Sequence, residues 1–307
     1  MSDFQKNFWW RLKLEAPLHL EESLIWKCER DCIKTFAIEY QKKNKTKFIF
    51  WVWLPSSEWN YQERVKFYSS LEPLAETFQI NLSPPIWEKV NDEDWSSSWK
   101  RLWQPDPVGN SLLILPAWLN LPNDFANRIV LKLDPGSAFG TGSHQTTRLC
   151  LEALERIDLN DLRVADIGCG SGILSLAALG LGAKEVFAVD IDSMAVSSAK
   201  KNVSLNNLSE KRIRVSIGSV DELHKQLQGV KVDLIICNIL APVIKSLAPS
   251  FSDVTSGKAH AFLSGLLVDQ IQDIVSLLAE NGWQFIAAHQ QEKWALIHLY
   301  KGSFKKP

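Results

Sequence analysis

The stretch RVADIGCGSG, Arg163 to Gly172, opens with five residues of strand character and then passes three closely spaced glycines into ILSLAALGLG, an apolar segment of helical length. A strand that turns on glycines into a helix lets backbone approach a ligand at the helix N-terminus. Twenty-two residues after Gly168, Asp190 closes the next strand, EVFAVD, where its carboxylate can accept both hydroxyls of a ribose. Either feature alone is ambiguous. Together they predict a nucleoside-binding α/β fold.

Working outward, strands are expected at RVADI, EVFAVD, RIRVSI, VDLIICN and AHAFLSG. Helices are expected at ILSLAALGLG, SMAVSSAKKNVSLN, VDELHKQL and VDQIQDIVSLLAENG. Strict alternation of this kind implies a parallel sheet covered on both faces. The final stretch, WQFIAAHQQEKWALIHLYK, instead reads as two strands joined by a short polar turn, an antiparallel hairpin at the sheet edge.

Dinucleotides and S-adenosyl-L-methionine both use this arrangement. A dinucleotide site calls for G-x-G-x-x-G, whereas Gly168, Gly170 and Gly172 form G-x-G-x-G. The closer spacing favours the smaller, phosphate-free nucleoside and disfavours a dehydrogenase. The terminal hairpin points the same way, because methyltransferase sheets typically end in an antiparallel strand. The expected fold is therefore a Rossmann-like class I methyltransferase sheet with a C-terminal antiparallel hairpin.

NILAP, Asn238 to Pro242, follows VDLIIC at the carboxyl edge, where ligands of open α/β sheets bind. A polar amide after such a run calls for a partner. Two readings stay open: Asn238 caps the following helix, or, with carbonyls of the turn, it grips an amine that receives a methyl group. A methyltransferase for an adenine amino group would also use such an asparagine, with a large aromatic just beyond it to stack the base. Here Leu240, Ala241 and Pro242 follow.

A second glycine-rich stretch, DPGSAFGTGSHQTTR (Asp134 to Arg148), lies upstream and lacks hydrophobic periodicity, so it is expected to be loop-rich. Farther upstream the text changes. From about Phe8 to Pro84 it is rich in tryptophan and nearly free of glycine, with WWRLKL and KFIFWVWL reading as strands and EESLIWKCERD as helix. This predicts a small N-terminal α+β domain over residues 1–90. Residues 91–110 form a connector, in which Trp95, Trp99 and Trp103 fall on one helical face and PDPVGN stops the helix. Residues 111–307 complete the catalytic part.

The 307 residues suffice for two cores, and 34 basic residues offset 35 acidic ones. That balance gives no overall electrostatic case for direct nucleic-acid binding or an anionic membrane. No window approaches the apolar length of a membrane span, and the N-terminus lacks an uninterrupted apolar core, so a cytoplasmic location is expected. Five cysteines, an odd number, argue against a disulfide framework and for reduced thiols partly in the core.

In order, DPGSAFGTGSHQTTRLCLEAL, VADIGCGSGILSLAALGLGA, VFAVDID, CNILAP and LSGLL are similar to the bacterial methyltransferases of large-subunit ribosomal protein eleven, the PrmA family. EDWSSSWKRLWQPDPVG resembles that family's segment between its small substrate-recognition domain and its catalytic domain. The resemblance covers about Asp92 to Lys301, with a loose match before it. It implies that the first glycine-rich stretch folds back over S-adenosyl-L-methionine as a wall, with DIGCGSG as the floor. Carried over to matching positions, Thr147, Gly168, Asp190 and Asn238 would touch the cofactor, with Phe139 and Thr141 close by and Asp166 and Gly170 in the same motif. Two positions depart: Gln145 stands where proline is usual, and Ser137 where an aliphatic residue is usual.

The resemblance implies methylation of lysine ε-amino and N-terminal α-amino groups of ribosomal protein eleven, free or on the ribosome. Asn238 is the expected catalytic residue, and because no carboxylate from Asn238 to Pro242 would pin an ammonium in one orientation, trimethylated amines are the expected products. The alternatives are a methyltransferase for an adenine amino group or another amine, and a non-catalytic assembly factor that only binds the cofactor.

Overall fold

A computed structural model describes residues 8–33, 35–40, 46–91, 103–134, 142–209 and 211–302. The chain divides into two units, Met1–Gln104 and Pro105–Pro307.

The first unit is built on β1 (Phe8–Pro17), β2 (Phe36–Tyr40), β3 (Lys47–Pro55) and β4 (Ile86–Asn91), in the order β2-β3-β1-β4 with antiparallel neighbours. Alternation along β1 sends Leu12, Leu14 and Ala16 into a core with Phe48, Phe50, Val52, Leu24 and Phe67. The helices over this face are Glu21–Arg30 and Tyr61–Ser69. The second starts where the side chain of Asn60 accepts the backbone N–H groups of Gln62 and Glu63. The other face carries Arg11 opposite Trp53 and Lys13 opposite Trp51. The two tryptophan rings stack at 6.2 Å, with the Arg11 guanidinium 5.0 Å from the Trp51 ring centre. β2 and the helix at Tyr61 escaped the sequence reading. Asn91, expected to begin the connecting helix, instead ends β4. The rest of that helix, up to Leu102, lies outside the described residues.

In the second unit, three short strands precede the main sheet: β5 (Asp106–Val108), β6 (Leu112–Pro116) and β7 (Ile129–Leu133), ordered β5-β6-β7. PDPVGN is therefore not merely a stop. It supplies β5, and because β5 is an edge strand, Pro107 costs no ladder bond on its open side.

The main sheet comprises β8 (Arg163–Ile167), β9 (Glu185–Asp190), β10 (Ile213–Ile217), β11 (Val232–Asn238), β12 (Thr255–Leu267), β13 (Trp283–Gln291) and β14 (Trp294–Lys301). Its order is β10-β9-β8-β11-β12-β14-β13, parallel from β10 through β12 and antiparallel at β14, as the alternation and the terminal hairpin predict. Two apolar layers cover the sheet. One gathers Leu149, Leu154, Ile173, Leu176 and Val196, and the other Leu223, Ile244, Phe251, Ile274 and Leu278. The chain winds from β8 outward to β10 and then returns to β11 beside β8. This strand-order reversal opens a crevice at the carboxyl ends. The five cysteines form no disulfide, and Cys28, Cys150, Cys169 and Cys237 are buried. Among the described residues no helix is long and apolar enough to cross a membrane.

Candidate active site

Gly168, Gly170 and Gly172 all have positive φ, at +75°, +53° and +79°. Side chains rarely adopt this backbone, so the turn is built for glycine. Gly168 and Cys169 donate their N–H groups to the Val189 carbonyl, at 2.9 and 3.1 Å, which ties the turn to the end of β9. The Gly170 N–H donates to Asp190 Oδ2 (2.8 Å) and the Asp192 N–H to Oδ1 (3.0 Å). Each carboxylate oxygen thus spends one acceptor position on the protein and keeps another for a ligand hydroxyl. Next to this carboxylate, Ile191 is 81% exposed, and Ile217, at the end of β10, is 57% exposed. These are apolar surfaces of the kind that a flat base covers.

Asp166 lies beneath the turn, fully buried. Its Oδ2 accepts from the Ser175 hydroxyl at 2.6 Å, while Oδ1 has no partner among the described residues. Burial pushes this carboxyl up to about 6, with Ser175 pulling it down and Asp190 adding a smaller upward push.

The first glycine-rich stretch is fastened at both ends to this turn. Asn202, buried in the helix Ser193–Leu205, donates to the Ser171 carbonyl (2.9 Å) and accepts the Asp134 N–H (2.9 Å). At the other end, Gly142 packs so tightly that a Cβ there would lie 2.8 Å from Ile173 Cδ1, at the start of the helix that follows the turn. Phe139, Thr141 and Ser137 lie outside the described residues. The expectation of loop through Arg148 needs correction. A helix, Gln145–Leu154, begins three residues before Arg148, with His144 as its N-cap accepting the Thr146 N–H. Gln145 occupies the first helical position, the one where proline also fits.

That helix presents Thr147, which is buried, to β11: the Asn238 amide lies 3.4 Å from the Thr147 hydroxyl. Asn238 does not cap the next helix, Ala241–Leu247, whose N-cap is Leu240 and has no side-chain cap. The Oδ1 of Asn238 is buried without a hydrogen-bond partner among the described residues. An unpartnered buried acceptor costs stability unless a ligand meets it. Gly168, Gly170 and Asp190 thus form one group, and Asn238 and Thr147 a second. The residue joining them is Ile239, whose Cγ2 sits 2.4 Å from where a Cβ on Gly168 would be. Sequence reasoning missed Ile239 and Asn202, because neither contact has a local period.

The strand order, the glycine turn after the central strand, the acidic end of the next strand and the antiparallel β14 define a Rossmann-like class I methyltransferase. The family can be stated as well. The model of the family "Ribosomal protein L11 methyltransferase (PrmA)" matches residues 9–302. A relative of that name from Prochlorococcus marinus is 52% identical over 292 residues, covering 95% of this chain and 96% of that one. Another, from Synechococcus sp. (strain RCC307), is 47% identical over 293 residues, covering 95% and 97%. The crystal structure of a ribosomal protein L11 methylase from Lactobacillus delbrueckii subsp. bulgaricus superposes with a TM-score of 0.59 at 33% identity, over 66% of this chain and 100% of that one. The chain belongs to the ribosomal protein L11 methyltransferase (PrmA) family. The match begins at residue 9, so it takes in the tryptophan-rich unit, where the motifs alone gave only a loose resemblance.

Proposed function

We propose that this chain transfers methyl groups from S-adenosyl-L-methionine to lysine ε-amino and N-terminal α-amino groups of ribosomal protein L11, in the cytoplasm, making trimethylated amines. The observation that carries this reading is the buried, unpartnered Asn238 Oδ1 at the strand-order reversal, on the opposite side of Ile239 from a glycine turn built for a nucleoside.

The residues fit the cofactor. Asp190 keeps acceptor positions for two ribose hydroxyls, the Gly168–Gly170 turn allows close approach, Ile191 and Ile217 offer apolar cover, and Asp166 supports the turn from below. Thr147, together with Phe139 and Thr141, completes the set. When bound, the cofactor supplies an electrophilic methyl on a sulfonium whose departing thioether is neutral. The protein therefore needs no acid or nucleophile of its own. Its residues align the target amine and exclude water. In the first two transfers Asn238 Oδ1 accepts one N–H of that amine and holds its lone pair in line, while the dimethylamine, which has no N–H when neutral, is held for the third by the shape of the pocket alone. A lysine amine has a reference pKa of about 10.4, and a dry pocket beside a positive centre favours the neutral form.

From Asn238 to Pro242 the only polar side chain is this one amide. Each of the first two transfers leaves an ammonium that releases one proton to solvent, and an amine held by shape and at most one acceptor can then turn its lone pair to a fresh donor, so methylation proceeds to the trimethyl state. The N-terminal domain, residues 1–90, recognises L11, and residues 91–110 connect it to the catalytic domain, 111–307. L11, free or on the ribosome, is the partner, without direct nucleic-acid contact. The test is mass spectrometry of purified L11 incubated with the full chain and S-adenosyl-L-methionine. Gains of three methyls per modified amine are expected. Unmodified L11 would overturn the assignment, and a stable monomethyl endpoint would overturn the account of the pocket.

A further inference from the structure

The parallel register of β11 and β12 sets Asn238 beside Ser264, so the next residues, Ile239 and Gly265, also meet. They meet backbone to backbone. A Cβ on Gly265 would lie 2.4 Å from the Ile239 carbonyl oxygen, 2.7 Å from its carbon and 2.9 Å from its nitrogen. None of these atoms can swing aside as the tip of a side chain can. Gly265 also has φ +80°, a backbone that only glycine adopts freely. It sits where the pairing of β12 with β14 slips register, between Leu263 and Leu266. The buried Ser264 hydroxyl donates to the Ala295 carbonyl at 2.9 Å and holds this irregularity against β14. On its other side, the Ile239 side chain fills the space that a Cβ on Gly168 would need. Ile239 is thus wedged between a glycine of the cofactor turn and a glycine of a bulge in β12.

We propose that Gly265 and Ile239 are positioning residues for methyl transfer: the wedge sets the separation between the Gly168 turn and Asn238. This rests on the methyltransferase reading given above. Neither residue offers a side-chain polar atom to a ligand, so their effect passes through Asn238 and Gly168. In-line displacement depends steeply on the distance and angle between donor and acceptor. A shift of the Ile239 backbone should therefore appear mainly in the transfer step, with a much smaller effect on the affinity for either substrate.

The test uses the full chain with two readouts: calorimetric titration with S-adenosyl-L-methionine, and kcat and KM for L11 methylation. Gly265→Ala is expected to keep the cofactor Kd and the KM for L11 within about threefold and to lower kcat by about 10- to 100-fold. A folded Gly265→Ala protein with unchanged kcat would overturn the proposal. A second set of variants stands independently of how that one folds. Gly168→Ala is expected to weaken cofactor binding by about 100-fold, and adding Ile239→Ala to recover at least about tenfold of that loss, because the obstructing methyl is gone. Losses that simply add in the double variant would show that no wedge couples the two loops. Wild-type protein that binds the cofactor but leaves L11 unmodified would break the functional reading alone, since the titrations still report the coupling.

Discussion

All fifteen glycines of this chain fall between Gly109 and Gly302, while ten of its thirteen tryptophans precede Pro105, leaving only Trp118, Trp283 and Trp294 beyond it. The contrast maps onto two kinds of surface. A unit without glycine cannot make left-handed turns cheaply or bring bare backbone against a small molecule. It builds with large rings instead: the half-buried Trp51 stacks on the buried Trp53, and Arg11 and Lys13 lie over the Trp51 ring. The glycine-bearing unit does the reverse: three closely spaced positive-φ glycines make the turn after β8. Large aromatics suit protein surfaces, and bare backbone suits nucleosides. On the function proposed above, one chain keeps its two substrates on units of opposite composition.

Variants that touch one surface should leave the other's substrate alone. The largest effect is expected where the reacting groups of the two substrates meet. Asn238→Ala should lower the methylation rate by about 10- to 1000-fold, the range for loss of an aligning contact. Single-turnover kinetics with saturating cofactor reads this, and an unchanged rate would remove Asn238 from the acceptor site. Asp190→Ala loses the ribose contacts and the Gly170 anchor together. About 2 to 3 kcal/mol of binding, roughly a hundredfold, should disappear in a calorimetric titration.

Asp166 tests the floor of the turn through pH. Its folded pKa of about 6 lies above the ordinary 3.8, so the cofactor-free folded state holds a proton between those values that the unfolded state releases. Its contribution therefore becomes less favourable as pH rises from about 4 to about 6, and the cost is fully present above that window. Asp166→Asn cannot titrate. Its stability relative to wild type, from urea unfolding, should improve by about 2 to 3 kcal/mol across the window, whatever its constant offset. A flat difference would mean that the carboxyl is not buried as described.

The smallest effect belongs to the other unit. Trp51→Ala removes one ring of the stacked pair and should raise the KM for L11 by about tenfold at unchanged kcat, with cofactor affinity intact. A change in cofactor affinity would blur the division between the units.

Much of this is legible in the sequence, for a physical reason. The five parallel strands, the helices after β8, β9, β10 and β12 and the terminal hairpin are periodic segments, and their ends fall within a few residues of the boundaries that periodicity predicts, whereas the helix Ala241–Leu247 after β11 is not bounded from the sequence. The glycine turn and Asp190 are fixed by local spacing. What stays hidden depends on contacts between distant segments. β5 is three residues long and contains a proline, so nothing in its own sequence marks it as a strand until β6 pairs with it. Asn202 looks like any polar residue in a helix, yet it bridges Asp134 and Ser171. Gly265 is visible only as part of LSGLL, and its role depends on the backbone of Ile239. Local pattern leaves Asn238 open between capping and gripping, and only the folded chain, with Leu240 at the N-cap, excludes the cap.

The division of labour is tested most directly by a chain beginning at Pro105, titrated with S-adenosyl-L-methionine and then assayed on L11 against the full chain. The account predicts cofactor affinity within about twofold of the full chain and L11 methylation lower by about 100-fold or more, the scale of losing most of a recognition surface. Methylation of L11 at the full-length rate by the shortened chain would contradict it.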